Sequence, residues 1–244
     1  MLRLAVFDLD NTLAKVGKAV LPEDVALLRA LERKGVRIAV CSGKPTYYLC
    51  GFLRQVGLEE PILVGENGAV IQFGVDLPPK TFEILPHSEE AKGTVRFLRE
   101  RFGEVLPDLW YQPNQVGLTP FPARAEEFDI LERCMEENRE SIRDVTIYRH
   151  FDTYDIIPNG ITKAAGLRRL GELLGVSPAD TAAVGDGVND YPMFDYAGVS
   201  LGVNVAEPER VDRNFGSVRE AIQYLLNLAE KDLQGGRSCG ILGL

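Results

Sequence analysis

Two carboxylates stand one residue apart at Asp8 and Asp10, directly after the apolar run at residues 2–7. A contiguous apolar run of this kind is typical of a parallel strand that is buried on both faces. Two neighbouring acids repel each other unless a cation or a functional proton offsets their charge. A hard divalent cation such as Mg²⁺ takes oxygen ligands and also bridges to phosphate oxygens. The pair therefore indicates a magnesium site that handles phosphate.

Other polar residues follow later apolar runs of the chain. They are Ser42 and Gly43 after residues 36–41, and Asp186, Asn189 and Asp190 after residues 180–184. Lys163 lies at the start of a predicted helix at residues 162–174. In open α/β sheets, ligands bind at the carboxyl ends of the strands. We therefore expect these residues to converge on one site with Asp8.

The residue types at this predicted site suit phosphoryl transfer. Asp8 can attack phosphorus and form an aspartyl-phosphate. Asp10 can protonate the leaving alkoxide and then deprotonate the water that hydrolyses the intermediate. That double role requires the environment to raise the pKa of Asp10 in the substrate complex. Lys163 and Ser42 can hold the remaining phosphoryl oxygens, because this chemistry depends above all on positioning and charge neutralisation.

Four segments carry a family resemblance, and they occur in the family's order. FDLDNTL, CSGK, ITKAAGL and GDGVND resemble the four motifs of the haloacid dehalogenase superfamily; they lie at residues 7–13, 41–44, 161–167 and 185–190. GENGAVI at 65–71 and GDGVNDYPMF at 185–194 are similar to archaeal-type phosphoglycolate phosphatases and sucrose-phosphatase-like enzymes. NQVGLTPFPAR at 114–124 is similar to the cap of phosphomannomutases. The resemblance covers the chain from end to end and implies a magnesium-dependent phosphatase.

The resemblance also implies a role for each matched residue. It makes Asp8 the nucleophile and a metal ligand, and Asp10 the acid and base, whose backbone carbonyl also binds the metal. The other implied roles are phosphate binding by Ser42, the Gly43 amide, Lys163 and Asn189, magnesium binding by Asp186, and support of the phosphate and metal shell by Asp190. Asn11 stands where the family often has Gly.

Strands that alternate with helices predict a doubly wound parallel sheet of the α/β class with right-handed crossovers. The pattern changes at residues 79–158, where two charged helices are interleaved with short strands. We expect a catalytic core at residues 1–78 and 159–244, interrupted by an inserted domain at 79–158. The insertion resembles the type-two α/β cap of Cof-like phosphatases, which implies that it closes over the site and selects the substrate. A last helix is predicted at 216–230, and the order of the Gly-rich tail after it is left open.

Composition excludes several functional classes. Of the 244 residues, 45% are apolar and 26% are charged, and the net charge of −9 argues against a general nucleic-acid binder. No apolar run approaches the roughly 20 residues that span a bilayer, and the N-terminus does not read as a signal peptide. The four cysteines form no CxxC pair, which favours reduced thiols. We expect a cytoplasmic protein without nucleic-acid or membrane partners, and a homodimer is left open.

Three alternatives compete with a phosphatase that acts on phosphoglycolate or a sugar phosphate. A phosphosugar mutase of the same family would return the phosphoryl group to the sugar. A receiver-like signalling module also gathers carboxylates, magnesium and a lysine, but it has no cap and no general acid like Asp10. The intact Asp8 and Asp10 argue against the third alternative, a non-catalytic binding protein. The residues of the insertion that set specificity stay open, with Trp110, Tyr111 and Asn114 among the candidates.

Overall fold

The computed structural model describes residues 1–238. In this part of the chain, twelve strands and seven helices form one eight-stranded sheet, two small ladders and their connections. The strands are β1 (Leu4–Phe7), β2 (Arg37–Cys41), β3 (Ile62–Gly65), β4 (Val70–Phe73), β5 (Thr81–Ile84), β6 (Trp110–Gln112), β7 (Thr119–Phe121), β8 (Val145–Arg149), β9 (Tyr154–Pro158), β10 (Thr181–Gly185), β11 (Val199–Val203) and β12 (Arg213–Phe215). The helices are α1 (Pro22–Arg33), α2 (Thr46–Val56), α3 (Glu89–Val105), α4 (Ala125–Glu137), α5 (Lys163–Leu174), α6 (Tyr191–Tyr196) and α7 (Val218–Ser238).

The central sheet has the strand order β12-β11-β10-β1-β2-β3-β4-β5. β1 lies between β10 and β2 and pairs in parallel with both, with Leu4 opposite Thr181 on one side and Arg37 on the other. β4 returns antiparallel to β3 through a tight turn, as the Asn-Gly sequence predicts. The predicted α/β class with a parallel-dominated sheet is therefore confirmed.

Apolar packing buries the central strand β1. All four residues of β1 are buried, and Ala5 and Phe7 belong to an apolar cluster that includes Leu28 of α1 and Ile222 of α7. Since side chains on both faces of β1 are buried, helices must cover both faces of the sheet at this strand. The carboxyl end of β1, with its two acids, is consequently flanked by the ends of β10 and β2.

The chain divides into two compact units. One unit contains Met1–Glu83 and the chain from Thr162 onward, and the other is Ile84–Ile161. The boundary expected at residues 78 and 79 differs because Thr81–Ile84 forms the edge strand β5 of the central sheet. Two hydrogen bonds from Arg169 of α5 to Glu83, at 2.6 and 3.1 Å, attach the last residue of this stretch of the first unit to α5. The roles of the units as catalytic core and cap remain predictions.

The second unit is a small α+β structure with its own core. Helices α3 and α4 pack on two ladders, β6 with β7 and β8 with β9. Backbone hydrogen bonds of 3.0 Å in both directions between Leu118 and Ile156 join the two ladders. Leu98, Phe102 and Leu131 are buried in the same cluster as Ile156. These contacts give the unit an apolar core of its own.

One other expectation, the extent of the last helix, needs adjustment. The last helix is longer than the predicted 216–230, since α7 continues through Ser238. The remainder of the Gly-rich tail, at residues 239–244, lies outside the described residues. Among the described helices, none combines the length and the apolar character needed to cross a bilayer.

Candidate active site

Four distant stretches of chain meet at the carboxyl end of β1. Asp8 follows β1 directly, and its amide donates to the carbonyl of Val184 on β10 at 2.8 Å. The Lys163 ammonium, from the first turn of α5, donates to Oδ1 of Asp8 at 2.6 Å and to Oδ1 of Asp190 at 2.5 Å. Ser42 follows the neighbouring strand β2 and is buried. The structure thus brings Lys163 together with Asp8, Asp186 and Asp190 at one edge of the sheet.

Lys163 is a buried cation held between two carboxylates. Its side chain is 1% exposed. Burial by itself lowers the pKa of a lysine, but the charges of Asp8 and Asp190 outweigh that effect and raise the pKa of Lys163. The ammonium is therefore charged throughout the physiological pH range. It places one fixed positive charge beside the acidic loop.

Asp8 is buried in an environment with an excess of negative charge. Burial raises the pKa of Asp8 to about 7, while Lys163 acts to lower it and Asp190 and Asp186 act to raise it further. Three carboxylates thus face one ammonium. A second cation would relieve this imbalance and would hold Asp8 in its ionised, nucleophilic form.

Asp190 is held in place by three hydrogen bonds. Its Oδ2 accepts from the backbone amides of Asp186 at 2.9 Å and Gly187 at 3.1 Å, while Oδ1 accepts from Lys163. The carboxylate lies so close to Gly185 that a Cβ at that position would be 2.4 Å from Oδ2. Both oxygens are therefore used to fix the loop and the lysine, which suits a supporting role.

The remaining carboxylates fit a divalent cation. Oxygen atoms of Asp8, Asp186 and Asp190 lie within 4.8 Å of one another. Burial raises the pKa of Asp186, and a hydrogen bond of 2.9 Å from the Thr12 hydroxyl to its Oδ1 opposes that shift. Carboxylate oxygens are the ligands that Mg²⁺ prefers. Asp190 accepts three hydrogen bonds, whereas Asp8 accepts one from Lys163 and Asp186 one from Thr12, so Asp8 and Asp186 keep more lone pairs with which they would hold the metal.

Asp10 has a different environment from Asp8. Its side chain is 28% exposed, and its Oδ2 lies 3.9 Å from the Lys44 ammonium. Among the described residues, the three-carboxylate group leaves Asp10 out. Asp10 therefore stands outside this group and retains access to water. Lys44 was not assigned a role from the sequence, although it is the last residue of the CSGK segment.

The Ser42 loop is fixed by an unusual turn. Glu66 and Asn67 both have left-handed backbone conformations, with φ of 53° and 56°. The Asn67 amide donates to the Ser42 carbonyl at 3.0 Å, and its Oδ1 would lie 3.3 Å from a Cβ at Gly43. Backbone strain of this kind in non-glycine residues costs about 1–3 kcal/mol and is often found at functional sites.

The same turn also contacts the helix that carries Lys163. A Cβ on Gly68, whose φ is 104°, would lie 2.2 Å from the Thr162 carbonyl oxygen, at the N-cap of α5. The turn at residues 66–68 therefore lies between the Ser42 loop and the Lys163 helix. The sequence predicts a hairpin turn here and leaves open that Asn67 faces the site, but an Asn-Gly pair carries no information about the helix that packs against it.

Asn189 and Cys41 are two further residues next to the site segments. Asn189 is exposed on the loop between Asp186 and Asp190, where its Oδ1 would be 2.7 Å from a Cβ at Gly187. Cys41 is buried, and burial raises the pKa of its thiol to about 12, so it stays neutral. Cys41, Cys50 and Cys134 are free thiols, while Cys239 lies outside the described residues.

Comparison with known proteins places these observations in a family. Residues 5–105 and 111–213 match the model of the haloacid dehalogenase-like hydrolases. A phosphoglycolate phosphatase from Metallosphaera sedula is 30% identical, covering 86% of this chain and 88% of its own.

Solved structures share the fold. A haloacid dehalogenase-like hydrolase from Bacteroides thetaiotaomicron has a TM-score of 0.73 at 21% identity, covering 92% of this chain and 100% of its own. A sugar phosphatase of HAD subclass IIB has a TM-score of 0.67 at 18% identity, covering 91% of this chain and 98% of its own.

Proposed function

Since the chain belongs to the haloacid dehalogenase-like hydrolases and is a phosphatase, we propose that it hydrolyses small phosphomonoesters with Mg²⁺ through an aspartyl-phosphate at Asp8. The observation that carries the proposal is the buried bridge from Lys163 to Asp8 and Asp190. Positive charge fixed beside a buried carboxylate prepares the site for a phosphoryl group. It supports both the role of Asp8 and the need for a second cation.

In the first step, a carboxylate oxygen of Asp8 attacks phosphorus, and the bond from phosphorus to the ester oxygen breaks. Asp10 gives its proton to the leaving alkoxide, which departs as an alcohol. Lys163 and Ser42 hold the phosphoryl oxygens while negative charge shifts among them. Asp8 and Asp186 would hold Mg²⁺, which would supply positive charge to neutralise the phosphoryl group. The step leaves Asp8 phosphorylated and Asp10 ionised.

In the second step, Asp10 takes a proton from a water molecule as that water attacks phosphorus. The bond from phosphorus to Asp8 breaks, inorganic phosphate leaves, and the carboxylate of Asp8 is restored. The partly exposed position of Asp10 supports this role, because the residue must meet both the leaving group and water. Each turnover returns both acids to their starting protonation states.

Phosphoglycolate is the first substrate candidate, and a sugar phosphate is the second. The first rests on the name of the 30% identical relative from Metallosphaera sedula. The second rests on the sugar phosphatase that shares the fold. Both are small molecules with a single phosphate ester, which suits the chemistry at Asp8.

A phosphate-release screen tests the proposal. Wild-type protein, with Mg²⁺, should release phosphate from phosphoglycolate faster than from other members of a panel that includes sugar phosphates. Isomer formation without phosphate release would instead identify a phosphosugar mutase. Asp8→Asn should be inactive on every substrate, whereas Asp195→Asn, an exposed acid paired with Arg210, should behave as wild type. Wild-type turnover by Asp8→Asn would overturn the mechanism.

A further inference from the structure

We propose that a groove in the second unit is a binding site for a phosphate dianion, free or carried on a small molecule. The groove has a volume of about 530 Å³, and Lys92, Arg96 and Arg99 line one wall. Asn114 and Gly117 also line the groove. Volumes of a few hundred Å³ are typical of small-molecule sites. The groove shares no residue with the site at Asp8, and the proposal does not depend on the reaction there.

The three cations form one stripe along α3. They are spaced four and three residues apart, which places all of them on the same face of the helix. Like charges at these separations repel each other and weaken the helix. Lys92 also lies in the first part of α3, where the helix dipole disfavours positive charge. In a chain with a net charge of −9, this local excess of positive charge is a specific feature that an anion would neutralise.

Only part of this charge has an internal partner. Lys92 donates to Glu89 at 2.6 Å, one turn earlier on the same helix. By contrast, neither Arg96 nor Arg99 donates a hydrogen bond to any residue that the structure describes, although Arg96 acts electrostatically on Glu89. Two guanidinium groups therefore border the groove with their donors available. Arginine donors match the oxygens of a phosphate in a bidentate arrangement.

Arg99 is already positioned for a ligand. Its guanidinium carbon lies 4.9 Å from the centre of the Tyr111 ring, the distance of a cation–π contact. Stacking on the ring restrains the guanidinium plane, while the N–H groups at the edge of that plane stay able to donate to a ligand. A restrained donor loses less conformational entropy when it binds an anion.

Asn114, which also lines the groove, is fixed by side-chain hydrogen bonds. Asn114 accepts from Gln112 at 2.8 Å and donates to Thr119 at 2.9 Å. Val95 and Val116, which line the groove as well, add apolar surface beside the polar groups. An apolar surface next to paired arginines suits a phosphate that carries a small organic body.

Equilibrium dialysis of the full chain with radiolabelled inorganic phosphate tests the proposal. Wild-type protein should bind phosphate at two sites, one at Asp8 and one in the groove. Arg96→Gln combined with Arg99→Gln should lose one site, with a dissociation constant raised at least tenfold, because two charged donors are removed. Arg101→Gln is the matched control, since it lies on the same helix, pairs with Glu104 and does not line the groove.

The same proteins separate the groove from the reaction. Hydrolysis of p-nitrophenyl phosphate by the double variant should stay within twofold of wild type, and its circular dichroism should be unchanged. Equal phosphate binding by wild type and a folded double variant would overturn the proposal; Arg96→Gln alone gives the same test if the double variant unfolds. If wild type failed to hydrolyse p-nitrophenyl phosphate, that result would count against the proposed function but would not bear on phosphate binding in the groove. In the Asp8→Asn background, competition by glycerol 3-phosphate stronger than by inorganic phosphate would identify an organic ligand.

Discussion

Lys163 donates a hydrogen bond of 2.6 Å to Asp8, although the two residues are 155 positions apart in the chain. Both side chains are nearly inaccessible to water, with exposures of 1% and 6%. Removal of one partner from a buried ion pair leaves an uncompensated charge, which costs more than the pair itself contributes. This relationship makes the stability of the site sensitive to each charged member.

Asp190→Ala should destabilise the protein by about 2–4 kcal/mol. The substitution removes one of the two carboxylates that face Lys163, and it leaves the amides of Asp186 and Gly187 without their acceptor. The free energy of unfolding in urea measures the effect. Asp195→Ala removes an exposed acid and should cost less than about 0.5 kcal/mol. Equal losses for the two variants would show that the buried network does not stabilise the fold.

Gly68→Ala should reduce both stability and turnover. Its Cβ would lie 2.2 Å from the Thr162 carbonyl, so the turn, the start of α5 or both must move. Gly74→Ala is a matched control, because that residue also has a positive φ, of 77°, but a Cβ there would meet nothing within 4 Å. We expect the control to cost about 1–2 kcal/mol from backbone strain alone, and Gly68→Ala to cost more. Similar unfolding energies and similar kcat values would refute the proposed coupling between turn and site.

Thr12→Val should weaken magnesium binding about 10- to 100-fold, the usual effect of removing a hydrogen bond that orients a metal ligand. The lost bond is the one from the Thr12 hydroxyl to Asp186. Isothermal titration with Mg²⁺ measures the affinity directly. Thr146→Val, which removes an exposed hydroxyl bonded to Asn159, should leave that affinity unchanged. Unaltered magnesium affinity in Thr12→Val would remove Thr12 from the metal site.

The metal-free protein should lose stability as the pH rises from about 4 to about 7. Burial raises the pKa of Asp8 from 3.8 to about 7, so the folded state holds a proton that the unfolded chain has released. The associated stability is fully present below the ordinary pKa of aspartate and is lost as the pH rises through the folded value. Magnesium should then raise the melting temperature more at about pH 8 than at about pH 5, because the metal competes with that proton.

Asp8→Asn provides the control for this pH dependence. The amide does not titrate, so the melting temperature of the metal-free variant should change less across the same range. If the variant and the wild type follow the same curve, another group accounts for the loss of stability.

The sequence predicted the main site because parallel topology constrains it strongly. Buried apolar runs identify β1, β2 and β10, and the residues that follow neighbouring parallel strands reach the same edge of a sheet. Asp8 and Asp186 could therefore be placed near each other without a structure. The position of Lys163 followed from its place at the start of a helix near the same edge.

Other features depend on contacts that sequence spacing does not encode. The partnership of Thr12 with Asp186 and of Lys44 with Asp10 depends on side-chain directions within loops. Thr81–Ile84 lacks the buried apolar run of the central strands, since its residues alternate between half-buried and exposed, as an edge strand allows. Such elements become evident only when their neighbours in space are known.

Trapping of the phosphorylated enzyme tests the central claim most directly. Asp10→Asn should still react with p-nitrophenyl phosphate, because p-nitrophenolate leaves without a proton, but it lacks the base that activates water for the second step. Acid quenching followed by mass spectrometry should therefore find one phosphoryl group on the peptide that contains Asp8, and none in Asp8→Asn. A phosphoryl group on a different residue, or phosphate release by Asp8→Asn at the wild-type rate, would contradict the role of Asp8 as nucleophile.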